Sequence, residues 1–104
     1  MAYFVVFGTD KEGVIDKRLE TRPVHRQYLR DHGMEGLKVI IGGPTIDKSA
    51  EQMNGTMLVV EADTLQQVET FVANDPYCKG GVFETLLIRP WNWGLGRPEE
   101  LHKD

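Results

Sequence analysis

With 104 residues, 12 Lys and Arg against 16 Asp and Glu, and a formal charge of -4, the chain has room for one small acidic domain and no second. Its 40% hydrophobic content supplies a core and excludes a disordered chain, although a domain of ~100 residues leaves roughly a third of its unfolded-chain surface in water. Cys78 stands alone, so there is no internal disulfide, and no run of ~20 apolar residues could span a bilayer. Residues 1–8 are apolar but too short for a signal peptide, and acidic Asp10 and Glu12 follow closely. A soluble, cytoplasmic protein with no membrane partner is expected. The acidic balance and scattered cations also argue against nucleic acid as a partner.

Residues 2–7 are β-branched and aromatic and stop at Gly8, predicting a first strand. Residues 9–16 are polar, carry Gly13 and read as a loop, with an optional helical turn at 16–20. Thr21 before Arg22-Pro23 matches a helix start, with Thr as N-cap and Pro in the first turn. Val24, Tyr28, Leu29 and His32 then form one stripe, and Gly33 is the stop. Residues 37–41 predict a second strand, closed by a turn at Gly42-Gly43-Pro44. Asn54-Gly55 predicts another turn before a third strand at 56–61. Asp63 or Thr64 caps a second helix with a stripe of Leu65, Val68, Phe71 and Val72, which ends near Asn74-Asp75-Pro76. Residues 82–89 predict a fourth strand, ended by Pro90.

The order is β-α-β-β-α-β, an α+β ferredoxin-like arrangement with a four-stranded antiparallel sheet and two helices on one face. Both faces of the strands are apolar: Tyr3, Val5 and Phe7 alternate with Phe4 and Val6 in the first, and Leu86 and Ile88 with Phe83 and Leu87 in the last. A sheet with a solvated face alternates apolar with polar, so the second face needs a cover. A second copy packed face to face, a homodimer forming a dimeric α/β barrel, is the expected solution. The alternative is a monomer whose tail, residues 90–104, folds over the sheet.

His25 falls in the first turn of the predicted helix, where exposed amides and Arg22 disfavour the imidazolium and a nearby carboxylate favours it. Asp75 lies between the second helix and the last strand. A carboxylate accepting from one ring nitrogen would leave the other free as a base. On spacing alone the two residues read first as a half-exposed helix residue and a helix stop before proline, and as a pair only second.

Arg22-Pro23-Val24-His25, Gly42-Gly43-Pro44 and Asp75-Pro76-Tyr77 followed by Gly81-Val82 resemble the motifs of the YciI-like (YCII-related domain) family, in the same order and over residues 2–90. The resemblance implies the ferredoxin-like fold, a homodimer and a histidine and aspartate proposed as an active-site dyad, here His25 and Asp75. It also implies a branch that removes HCl from a chlorinated hydroxyhydroquinone. The tail with Trp91 and Trp93 departs from the shortest family members.

Both lines lead to a lyase that needs no metal or organic cofactor: His25, oriented by Asp75, takes a proton from a small aromatic substrate and chloride leaves as a quinone forms. Arg22 is a candidate for a phenolate or carboxylate, or a solvated charge. Tyr28 and Tyr77 are candidates for the pocket lining or for ordinary packing, and Gly42, Gly43 and Pro44 for the pocket wall or a plain turn. The domain is expected over residues 1–90, with 91–104 as a tail that docks on the domain or on a dimer partner and frays over 99–104. His25, His32 and His102 lack metal-ligand spacing, and no dinucleotide or Walker fingerprint is present. Two other classes share the architecture: a hydroquinone or haem oxygenase, and a dimeric small-molecule-binding module without catalysis.

Overall fold

The computed structural model describes residues 2–98 and runs β1 (Ala2–Asp10), α1 (Ile15–Arg30), β2 (Lys38–Ile46), β3 (Met53–Ala62), α2 (Leu65–Ala73), α3 (Pro76–Lys79) and β4 (Phe83–Trp91). The strands form one antiparallel sheet in the order β2-β3-β1-β4, which is the α+β ferredoxin-like fold. Phe4 pairs with Val60, and Val6 lies between Leu58 and Ile88. These residues, with Val68, Phe71 and Val72 of α2, make the core, against which Tyr28 and Leu29 of α1 pack. α2 starts as expected at Thr64, whose hydroxyl and the Gln67 side chain form a reciprocal capping box.

Side chains alternate along a strand, so Tyr3, Val5 and Phe7 face away from the helices, beside Met57, Val59, Leu87 and Trp91 on neighbouring strands. Phe7 and Leu87 are exposed there, at 42% and 49%. Trp93 turns back towards this face, edge-on to Tyr3 at 5.5 Å and stacked on Trp91 at 5.2 Å. The expected fraying of residues 99–104 lies outside the described residues. No described helix is long and apolar enough to cross a membrane.

Several boundaries differ from the sequence expectation. β2 does not turn at Gly42-Gly43-Pro44 but runs through it to Ile46, and β4 runs through Pro90 to Trp91. Both are edge strands with a single neighbour, so the missing proline amides need not cost a ladder bond. Gly42 is required by close approach: a Cβ there would lie 2.5 Å from Leu58 Cδ2. Asn54-Gly55 lies inside β3, and the turn forms earlier, where Asp47 accepts from the Ser49 hydroxyl and the Glu51 amide. These bonds, that from Ser49 foremost, lower the Asp47 pKa.

The largest correction concerns α1, which begins at Ile15, six residues before Thr21, and carries Pro23 within it. Its N-cap, Val14, makes no side-chain cap bond. A tertiary contact anchors this end of the helix instead, without capping its free amides. Arg18, on the first full turn and 1% exposed, donates from Nε to Asp10 at 2.6 Å, from Nη2 to the same carboxylate at 2.9 Å, and from Nη2 to Thr56 Oγ1 at 2.8 Å. The start of α1 is thereby tied to the ends of β1 and β3.

Removing one partner of a buried ion pair leaves the other charged and desolvated. Asp10→Ala is therefore expected to lower stability by ~3 kcal/mol in urea unfolding, and the double variant Asp10→Leu/Arg18→Met to recover much of that loss. A loss under ~1 kcal/mol in the single variant, the value of a surface pair, would show that the pair is solvated.

Candidate active site

The longer α1 moves His25 from a first turn to the third turn of the helix, so exposed N-terminal amides do not act on it. It is 5% exposed. Its Nδ1 lies 2.8 Å from Asp75 Oδ1. Asp75, 3% exposed, is the N-cap of α3, a helix that the sequence reading took for a simple stop. The same Oδ1 accepts the Tyr77 backbone amide at 2.9 Å. One oxygen thus caps α3 and receives the histidine, and the dipeptide Asp75-Pro76 is the cap-and-first-turn signal that the sequence reading assigned to Thr21 and Pro23.

Tyr77 completes the arrangement. Its ring stacks on His25 with centroids 3.9 Å apart and planes at 21°, the Arg18 guanidinium carbon lies 4.4 Å from its centroid, and Phe83 meets it edge-on at 5.9 Å. The side chain is buried, and its hydroxyl has no hydrogen-bond partner among the described residues. Burial raises its pKa, opposed by the charges of Arg18 and Arg22, so the phenol stays protonated.

These groups open into a cleft of about 530 Å³ between α1 and β2, within the range of sites that hold small molecules. Of the expected residues, Arg22, His25, Gly42, Gly43, Pro44 and Tyr77 line it. Tyr28 does not. Its ring stacks on Phe71 at 5.0 Å and its hydroxyl donates 2.7 Å to the Phe71 carbonyl, fastening α1 to α2. Burial, with the Asp75 charge adding to it, pushes the Tyr28 pKa up to about 12. The sequence reading missed Arg18, Arg26 and Arg30, which also line the cleft. The signal was present, because arginine stands at 18, 22, 26 and 30, an interval that keeps side chains on one helix face. Among the described residues no group of three or more His, Cys, Asp and Glu is placed to hold a metal ion.

The YCII-related domain family matches residues 2–92. The chain belongs to this family. It is 28% identical to the protein YciI of Escherichia coli O6:H1 over 85% of this chain and 94% of that one. An uncharacterized protein of Haemophilus influenzae is also 28% identical, over 86% and 95%. Among solved structures, the chain is similar to the 5-chloro-2-hydroxyhydroquinone dehydrochlorinase TftG of Burkholderia phenoliruptrix AC1100, in complex with 2,5-dihydroxybenzoquinone. The TM-score is 0.74 at 29% identity, covering 86% of this chain and 93% of that one. Protein Atu4242 of Agrobacterium tumefaciens, at 11% identity and a TM-score of 0.52, shares the fold alone.

Because an ionised carboxylate only accepts, the 2.8 Å contact with Asp75 Oδ1 calls for a proton on His25 Nδ1. Long-range ¹H–¹⁵N correlation NMR is expected to report the Nδ1–H tautomer, and Asp75→Ala to shift it towards Nε2–H while lowering stability by ~1 kcal/mol through loss of the cap. An Nε2–H tautomer in the unmodified protein would contradict the assignment.

Proposed function

We propose that the protein is a cofactor-independent lyase that removes HCl from a chlorinated hydroxyhydroquinone or a related small aromatic. The observation that carries this reading is the buried His25–Asp75 pair, 2.8 Å apart, whose imidazole lines a small-molecule cleft. The likeness to a dehydrochlorinase supports the reaction class. In this reading His25 Nε2 is the base and Asp75 holds the ring in the competent tautomer. Two hydroxyl protons leave the substrate, one proton is delivered to the carbon bearing chlorine, and chloride departs with its bonding pair. The net loss is HCl and the product is a hydroxyquinone. Arg22 receives the phenolate, Tyr77 backs the imidazole, and Gly43 and Pro44 form part of the opposite wall.

We propose further that the partner is a second copy of the chain, packed through the sheet face that the helices leave open. Phe7, Ile41 and Leu87 are exposed at 42%, 47% and 49%, more apolar surface on one sheet than a solvated face carries.

Two measurements test these readings. Under anaerobic conditions the wild type is expected to release chloride from a chlorinated hydroxyhydroquinone, and His25→Ala to lose ~100-fold or more, the value of a general base. Release no faster than the uncatalysed background would overturn the lyase reading. Sedimentation is expected to give twice the chain mass of 11.8 kDa, and Phe7→Lys/Leu87→Lys to give a folded monomer. A wild type that sediments as a monomer would overturn the dimer.

A further inference from the structure

Arg18, Arg22, Arg26 and Arg30 follow one another at intervals of four along α1, and Lys38 joins them from β2; all five line the cleft. No aspartate or glutamate is among the lining residues. Arg18 is neutralised by Asp10. Among the described residues, Arg22, Arg26, Arg30 and Lys38 have no ion-pair partner. Arg22, Arg26 and Arg30, a quarter of the twelve cations of a chain of net charge -4, thus gather around one concavity, while Lys38 stands across the strand ladder from Glu61. Such a cleft concentrates field lines and selects anions.

A neutral hydroquinone calls for none of this beyond one cation near the reacting hydroxyl. Arg22 suits that task, since its charge acts on Tyr77, the ring stacked against His25. Arg30 lies five residues beyond His25, ~7.5 Å along the axis at 1.5 Å per residue, so the row of guanidiniums extends past the imidazole and can meet a second group of the same ligand. Arg26 and Arg30 stand one turn apart on that side, both exposed, and guanidinium forks match a carboxylate in a bidentate fashion. The cleft's volume of about 530 Å³ leaves space for a substituent beyond a single ring.

We infer that the cleft is built for a hydroxyaromatic carboxylate, its ring hydroxyl beside His25 and Tyr77 and its carboxylate on Arg26 and Arg30. The placement of the ring rests on the reading of His25 as the base, whereas the anionic requirement rests on the arginines alone.

A matched pair of probes isolates the charge: 2,5-dihydroxybenzoate and 2,5-dihydroxybenzamide differ only in the ionised group. By isothermal titration calorimetry the acid is expected to bind wild type ~10-fold or more tighter than the amide, as charge-assisted hydrogen bonds provide, with the difference shrinking as salt is raised. The preference is expected to persist in His25→Ala and to vanish in Arg26→Gln/Arg30→Gln, whose substituted positions are exposed and leave the fold intact. Equal affinity for acid and amide, including no measurable binding of either, would overturn the inference, as would a preference unchanged in the double arginine variant. Because the readout is binding, a failed chloride-release assay and a failed charge preference remain separate results.

Discussion

The guanidinium of Arg18 is held by Asp10 at 2.6 and 2.9 Å and by Thr56 at 2.8 Å, and it lies 4.4 Å from the centre of the Tyr77 ring. Few single groups in the chain touch as many elements. Asp10 closes β1, Thr56 lies in β3, Tyr77 belongs to α3, and Arg18 belongs to the first turns of α1. A buried arginine desolvated to this degree is tolerated only when its donors are used and its charge is matched. Here the matching pins the first turns of α1 against the sheet. Each residue turns a helix by about 100°, so an origin shifted by one residue would rotate His25 away from Asp75. The ion pair therefore sets the phase of the helix that carries the imidazole.

The fold was legible in the sequence because its signals were local and mutually consistent. The β-branched and apolar runs at residues 2–7 and 56–61, the stripe of Leu65, Val68, Phe71 and Val72, and the Thr64 cap are all local signals, and the structure uses them as strands, a buried helix face and a helix start. The errors have a common cause. Pro44, Pro90 and Asn54-Gly55 carry strong turn chemistry, yet each lies in a strand, since edge position or close packing overrides the propensity. Thr21 and Pro23 failed for the opposite reason. A cap signal was present, but α1 begins six residues earlier, where Arg18 is held by Asp10 across eight residues, a contact no window of local pattern reveals.

At the site, His25 and Asp75 are fifty residues apart, and neither their spacing nor their types shows that they meet; the family motifs supplied that expectation. Tyr28 stayed open between pocket and packing because a tyrosine on an apolar stripe can face either, and its bond to the Phe71 carbonyl shows the packing role. Of the arginines at 18, 22, 26 and 30 only Arg22 was singled out and the others passed among scattered cations, although their common period was visible. What the sequence withheld was the partner across the gap: β2 forms the facing wall, and only its course through Gly42 to Pro44 turns a charged helix face into a cleft.

Orientation of the imidazole reduces to a very short piece of chain. A hydrogen bond to Nδ1 fixes the direction of one ring nitrogen but leaves the ring free to rotate about that bond. A stacked neighbour fixes the plane but leaves the ring free to turn within it. Asp75 supplies the first constraint and Tyr77 the second, so together they leave Nε2 a single direction. The two residues flank Pro76, and the Tyr77 amide itself binds the Asp75 carboxylate, while the Tyr77 carbonyl accepts from Val82 at 3.0 Å as β4 approaches. Asp75 and Tyr77 are therefore held relative to each other before either meets His25. Such a preset geometry is what the proposed role of His25 requires, because the arrangement a proton transfer needs is then fixed by the protein and not by the substrate.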